Sequence, residues 1–402
     1  MSPVRSLRLS RMGTAVQESA TLRQAARVAA LRATGRRLYN LTVGEPDCDT
    51  PEDVRVAAHR AIDSGHTHYT ASAGSPELRQ AVAAYYSARR GVSWRPTQAI
   101  VSTGAKQVLW SALAACIEPG DEVVLLSPYW TSYPAYVAML GGVSRVLRPP
   151  YERDFKACGD DLRAVLGPRT RAFVFNSPVN PTGAVYSAEE LRDLFEPLRD
   201  TDVLVISDEI YENMVFEGEH LSPVQVLPEL QDRFVLVSGA SKSFAMTGWR
   251  IGFGLGPEPL VRAMIQLQSH ITGNPSSVSQ QAVLAALALP PATLEPLRQH
   301  FRSRRDLCLQ ILAQLPELRF VRPQGTFYVF LDIEPFLGVW EGGTRLSGSE
   351  ELAEYLLETH GIAVVPGTAF DHAGGIRLSS TLPLQDLREG LELLVQALRD
   401  RA

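Results

Sequence analysis

The sequence predicts a doubly wound α/β fold on a mainly parallel sheet, and two observations carry that prediction. Between about residues 50 and 290, short continuous apolar runs alternate with segments of helical period. Polar, glycine and proline residues gather where those runs end. Open α/β sheets bind ligands beyond the carboxyl ends of their strands, so that is where chemistry is expected. A chain of 402 residues is also too long for one compact core. The pattern changes at Leu289-Pro290-Pro291, which predicts a second, smaller unit beyond it.

The elements follow in order. Residues 14–34 read as a polar-faced helix, and 38–43 as a short strand closed by Gly44-Glu45-Pro46-Asp47. Six runs suit strands buried on both faces: Ile100-Val101 and residues 122–126, 172–175, 203–206, 234–237 and 251–255. The clearest helix between them is 105–117, with Ala105, Val108, Leu109, Ala112, Leu113 and Cys116 on one face. Then come a long helix at 294–315, a strand at 326–331, a helix at 350–359, strand pieces at 362–365 and 376–379, and a last helix from Leu384. This predicts a large domain, 48–290, and a discontinuous α+β domain made of 1–47 and 291–402.

Composition narrows the function. Hydrophobic content of 45% and charged content of 21% are those of an ordinary globular protein. A net charge of −5 offers no basic field to nucleic acid or to a membrane surface. No run of about 18 apolar residues could span a bilayer. The N-terminal stretch lacks the apolar core of a signal peptide. Cys48, Cys116, Cys158 and Cys308 show neither metal-ligand spacing nor a disulfide framework, which fits a reducing cytosol. His66 and His68 read as surface histidines, and no metal site is expected.

Only Lys106, Lys156 and Lys242 are lysines among 39 basic residues. A lysine amine can lose its proton and attack a carbonyl, whereas a guanidinium cannot. Lys106 follows Ser102-Thr103-Gly104-Ala105 at a strand end, where small residues and a helix start suit an anion. Tyr129 and Trp130 follow the next strand, Asn176 and Asn180 with Pro181-Thr182-Gly183 another, and Asp208-Glu209-Ile210-Tyr211 a fourth. Ser241 and Lys242 follow a fifth, with Arg250 eight residues past the lysine. Each piece alone has an ordinary explanation as a cap, a turn or core. Together they specify a phosphate cup, an aromatic slab, an acid, phenol and amide donors, and an amine, a set that fits pyridoxal 5′-phosphate. Gly252-Phe253-Gly254-Leu255-Gly256 lacks the spacing of a dinucleotide fingerprint.

These motifs, in this order, resemble the class I aminotransferases of fold-type I, the aspartate aminotransferase family. The subgroup most similar is that of bacterial aspartate and aspartate/prephenate aminotransferases, through residues 41–47, 126–130 and 245–250. The resemblance implies a mainly parallel seven-stranded sheet between helices and a homodimer with sites at the subunit boundary. It implies Lys242 as the Schiff-base lysine and proton shuttle, Asp208 on the pyridinium nitrogen, and Tyr211 and Asn180 on the ring oxygen. Trp130 would stack on the ring. Gly104, Ala105 and Arg250 would hold the phosphate, joined by Tyr69 of the neighbouring subunit, with Lys106 and Ser241 also among the cofactor-binding residues. Arg377 would grip the substrate α-carboxylate, with Gly44, Trp130 and Asn180 beside it.

The family often has a serine three residues before the lysine. Gly239 stands there in this chain, so Ser238 or Ser241 is expected to substitute. Lys106 and Thr21 are expected to recognise a distal carboxylate, which favours acidic amino acids; equally, Lys106 could simply add charge to the phosphate cup. The expected reaction is amino transfer to a 2-oxo acid such as 2-oxoglutarate. The alternatives are elimination, cyclisation or oxidation on the same cofactor and, in another class, a cofactor-binding regulator.

Overall fold

The computed structural model describes residues 7–16, 18, 20–340 and 345–400, with the backbone alone at 20–22. Its main sheet has seven strands: β1 (Ala99–Ser102), β2 (Glu122–Leu126), β3 (Val143–Leu147), β4 (Thr170–Asn176), β5 (Leu204–Asp208), β6 (Phe234–Gly239) and β7 (Gly252–Leu255). The order across the sheet is β1-β7-β6-β5-β4-β2-β3. β7 runs antiparallel to both neighbours, and every other pair is parallel.

The continuous apolar runs have a plain cause. Ile100, Val123, Leu125, Val174, Ile206 and Val237 point into one core, packed by Leu109, Leu113, Val261 and Met264. Val101, Val124, Phe173, Phe175, Val205 and Phe253 point into another, on the opposite face. With both faces covered, neither parity of the strand can be polar.

The seventh strand, β3, is absent from the six runs read in the sequence. Its residues, Val-Ser-Arg-Val-Leu, alternate between exposed or half-buried positions until Leu147. It is an edge strand, and a half-wet edge carries no continuous apolar signal.

A second, antiparallel sheet forms from β8 (Arg319–Phe320), β9 (Tyr328–Asp332), β10 (Val365–Pro366) and β11 (Gly375–Ser379), in the order β10-β11-β9-β8. It packs with helices Glu295–Leu312, Ser349–His360 and Leu384–Arg399 around Leu307, Ile311, Leu331, Leu352, Leu391 and Leu394. Leu41, from the N-terminal segment, lies in the same core, and Tyr39–Asn40 pairs in parallel with Ile362–Ala363. The N-terminal helix is shorter than the sequence suggested, spanning Ala20–Ala33. Among the described residues no helix is long and apolar enough to cross a membrane.

Candidate active site

The parallel strands β4 and β5 end side by side, with Asn176 in register with Asp208 and Asp208 with Val237 of β6. Their polar ends open onto a cavity of about 370 Å³. Gly44, Ala105, Lys106, Trp130, Asn180, Asp208, Tyr211, Ser241, Lys242, Arg250 and Arg377 all line it, as the sequence motifs anticipated.

One wall is built for an anion. Helix Ala105–Ala114 begins after Gly104, whose φ of +85° suits glycine. A Cβ on Gly104 would lie 2.5 Å from the Arg250 guanidinium, so glycine also admits that cation. Arg250 itself has φ +56° and is held by a 2.8 Å hydrogen bond from Nη1 to the Thr247 carbonyl. Ala245 also has positive φ, so the lysine loop holds two non-glycine residues in a sparsely populated conformation. Ser241 faces the cavity. Ser238 does not: it is fully buried and donates to Glu212 at 2.8 Å, because it lies on β6 while Ser241 lies on the turn after it. Ser238 therefore does not line the cavity, and only Ser241 is left of the two expected serines.

Lys242 donates from Nζ to the Gly44 carbonyl and sits 5.6 Å from the centroid of the Phe327 ring. Burial pushes its pKa down to about 8; Glu45 pulls it back in part, and Arg377 and Arg250 push it lower. Asp208 is buried, and burial raises its carboxyl to about 6. Tyr133 donates to its Oδ2 at 2.8 Å and the Ile210 amide to its Oδ1 at 3.2 Å. The neighbouring acid, Glu209, faces away into a cage of Arg90, His220, Ser207 and Ser222. Burial alone would raise its carboxyl, but Arg90 and His220 bring it down to about 2. The Asp-Glu pair thus divides into one acid for the cavity and one for the scaffold.

Arg377 on β11 is 2% exposed. Its Nη1 donates to Asn180 Oδ1 at 3.1 Å and its Nη2 to the Thr42 carbonyl at 3.0 Å, while Nε has no partner. Tyr328 lies flat against it, with the guanidinium carbon 4.2 Å from the ring centroid. The Tyr328 hydroxyl meets that of Tyr211 at 3.0 Å, and burial holds the Tyr211 phenol neutral, well above its usual pKa. A Cβ on Gly44 would lie 2.7 Å from the Tyr328 oxygen, which explains glycine there.

Lys106 is 5.0 Å from the centroid of the Trp130 ring, and burial with nearby Arg250 lowers its pKa. Two predicted residues do not line the cavity within this chain: Tyr69 is 98% exposed on the surface, and Gly104 lies against the Arg250 guanidinium just outside the lining. The side chain of Thr21 lies outside the described residues. Sequence reasoning missed Tyr133, Tyr328, Glu45 and Thr247, which also line the cavity. Tyr133 carried a signal, being near Trp130 at the same strand end; Tyr328 carried none, since it comes from the second sheet.

The sequence matches the family described as aminotransferase class I and II over residues 36–394. It is 42% identical to the aspartate/prephenate aminotransferase of Cereibacter sphaeroides over 93% of this chain and 94% of that protein. It is 37% identical to the aspartate aminotransferase of Geobacillus stearothermophilus, over 98% of this chain and 100% of that protein. Among solved structures, the aspartate aminotransferase from Thermus thermophilus with maleate is similar at TM-score 0.92 and 42% identity, covering 98% of this chain and 100% of that one. The aspartate aminotransferase from Rhizobium meliloti has TM-score 0.95 and 38% identity, covering 99% and 100%.

Proposed function

Because the chain belongs to the class I and II aminotransferase family and is an enzyme that moves amino groups, we propose that its donor is an acidic L-amino acid of the aspartate or glutamate type. The acceptor is a 2-oxo acid such as 2-oxoglutarate, and the cofactor is pyridoxal 5′-phosphate held around Lys242. Family membership implies that cofactor, and the residues present fit it.

One observation carries the reading: the cavity holds a buried anion and a buried cation, neither of them compensated. Among the described residues Asp208 has no cationic partner and Arg377 no carboxylate partner, yet both are more than nine-tenths buried. An unpaired buried charge costs several kcal/mol, so each calls for a ligand of opposite sign. A pyridinium nitrogen answers the first and an amino-acid carboxylate the second.

Bound there, pyridoxal phosphate supplies a carbonyl for the amine and a ring into which electrons from the substrate Cα can spread. The first amides of helix Ala105–Ala114, the Ser241 hydroxyl and Arg250 would hold its phosphate. Asp208 would keep a proton on the ring nitrogen, with Tyr133 steadying the carboxylate. Tyr211 and Asn180 would serve the ring oxygen, and Trp130 one ring face. Arg377 orients the substrate through its α-carboxylate. Lys242 Nζ, with its pKa near neutrality, takes the proton from the substrate Cα. The sheets divide the work as two domains, 48–290 and 1–47 with 291–402. Tyr69, exposed in one chain, reaches the phosphate of a second chain in a homodimer. All four cysteines are free, which accords with a cytosolic setting.

The test is spectroscopic. Protein supplied with pyridoxal phosphate is expected to show the visible band of the cofactor. Aspartate or glutamate alone should then convert it to the near-ultraviolet band of the amine form. No response to either acid sinks the acidic-donor reading. Elimination, cyclisation, oxidation and regulation use the same lysine and aspartate, but the relatives reported above are named aminotransferases, which favours transfer.

Lys106 and Thr21 form the distal-carboxylate pair in this reading; the similar Thermus thermophilus structure is one with maleate, a dicarboxylate, which supports an acidic substrate. Lys106→Gln should raise KM for aspartate about tenfold to a hundredfold, the value of one charge-assisted contact. Reaction with alanine or phenylalanine should hardly change. An equal loss on all amino acids would assign Lys106 to the phosphate cup instead.

A further inference from the structure

The turn that carries Gly44 continues to Asp47 and Cys48, and both approach helix Glu295–Leu312. Asp47 Oδ1 lies 3.0 Å from His300 Nε2. The carboxylate oxygen, the imidazole nitrogen and the Cys48 sulfur all lie within 4.8 Å of one another. In a tetrahedral zinc shell, donor atoms stand about 3.3–3.8 Å apart, so closure asks each to move by about 1 Å at most.

We propose that Asp47, Cys48 and His300 form a binding site for a borderline divalent cation of the zinc type, with three protein ligands and a fourth position left to water. Thiolate, imidazole and carboxylate together are the donor set zinc prefers. The sequence spacing of the cysteines showed nothing of this, because His300 enters from a helix some 250 residues away. The Asp47 and His300 side chains are each about one-third exposed, and Cys48 is half-buried.

Asp47 and Asp49 bring two carboxylates to the site against one guanidinium, Arg304, whose charge also reaches Cys48 and His300. Arg304 bonds Asp47 at 2.8 Å, but through Oδ2, and leaves Oδ1 toward the site. Asp49 adds a second carboxylate near the Cys48 sulfur. The contrast is a buried trio, Glu209, Glu212 and His220, whose atoms are equally close. There the Arg90 guanidinium already bonds both carboxylates and stands in the place of a metal.

A cation on Asp47 would tie the Gly44 turn, and through its carbonyl Lys242, to the helix of the second core. This inference is independent of the cofactor and of the donor amino acid.

The experiment uses the full chain loaded with pyridoxal phosphate, dialysed against Zn²⁺ and studied by metal analysis and zinc X-ray absorption. The expected result is one saturable zinc per chain with one sulfur neighbour at about 2.3 Å and lighter neighbours at about 2.0 Å. Cys48→Ser removes the sulfur neighbour. His300→Gln weakens binding at least about tenfold. Cys158→Ser, at a distant cysteine, changes neither. The proposal is overturned by absence of saturable zinc, by zinc bound without sulfur, or by a sulfur signal that survives Cys48→Ser.

Discussion

Lys242→Ala should lower kcat by at least about 10²–10⁴-fold, the range for losing a positioned proton-transfer group, with the protein still folded. The protonation state of the amine decides this. Burial holds its pKa at about 8. At pH 7 about one amine in ten is then neutral, against about one in a few thousand for an ordinary lysine. Cofactor loading of wild-type protein should therefore speed up about tenfold per pH unit below about 8 and level off above it. Lys242→Arg fills the space and keeps the charge but cannot give up its proton, so it should be as inactive as alanine. Stopped-flow loading across pH, with single-turnover rates for both variants, checks this. A variant that keeps a tenth of wild-type turnover, or a loading rate flat from pH 6 to 9, would remove Lys242 from its role.

Asp208→Asn should separate stability from activity. The folded carboxyl titrates at about 6, raised by burial above its ordinary value of 3.8. The folded state therefore binds this proton more tightly than the unfolded chain does. Stability linked to the group is fully present below about pH 4 and is lost as pH rises through 6. The loss amounts to about 3 kcal/mol in cofactor-free protein. Asparagine carries no charge, so the variant should lack this part of the decline and unfold at higher urea than wild type at pH 7.5. At pH 4 the two should converge. Turnover should nevertheless fall by about 10²–10³-fold, since no anion remains to hold the proton on the ring nitrogen. Parallel urea midpoints at pH 4 and 7.5 provide the measurement. Equal pH slopes in the two proteins would contradict the buried-charge argument.

Both effects come from residues that the sequence made conspicuous, and the reason is local. A strand buried on both faces is a continuous apolar run, so the polar residues that follow it mark the strand end. Asp208, Asn180 and Lys242 were legible in that way. β3 was not, because an edge strand with one wet face alternates. Ser238 and Ser241 looked interchangeable in the sequence. Three residues decide between them, since one still belongs to β6 and the other to the turn beyond it.

The sequence by itself determined six of the seven strands of the main sheet, the order in which polar groups follow them along the chain, and the family. The tertiary structure alone decided what those groups touch. Tyr133 reaches Asp208 across 75 residues, Tyr328 reaches Tyr211 across 117, and Asn180 meets Arg377 across 197. Strand and helix periods are set within a few residues, by backbone geometry and burial. Contacts over such separations are set by how helices and sheets pack together. The shifted pKa values of Lys242 and Asp208 follow from that packing, since desolvation belongs to the enclosed cavity and not to any residue in it.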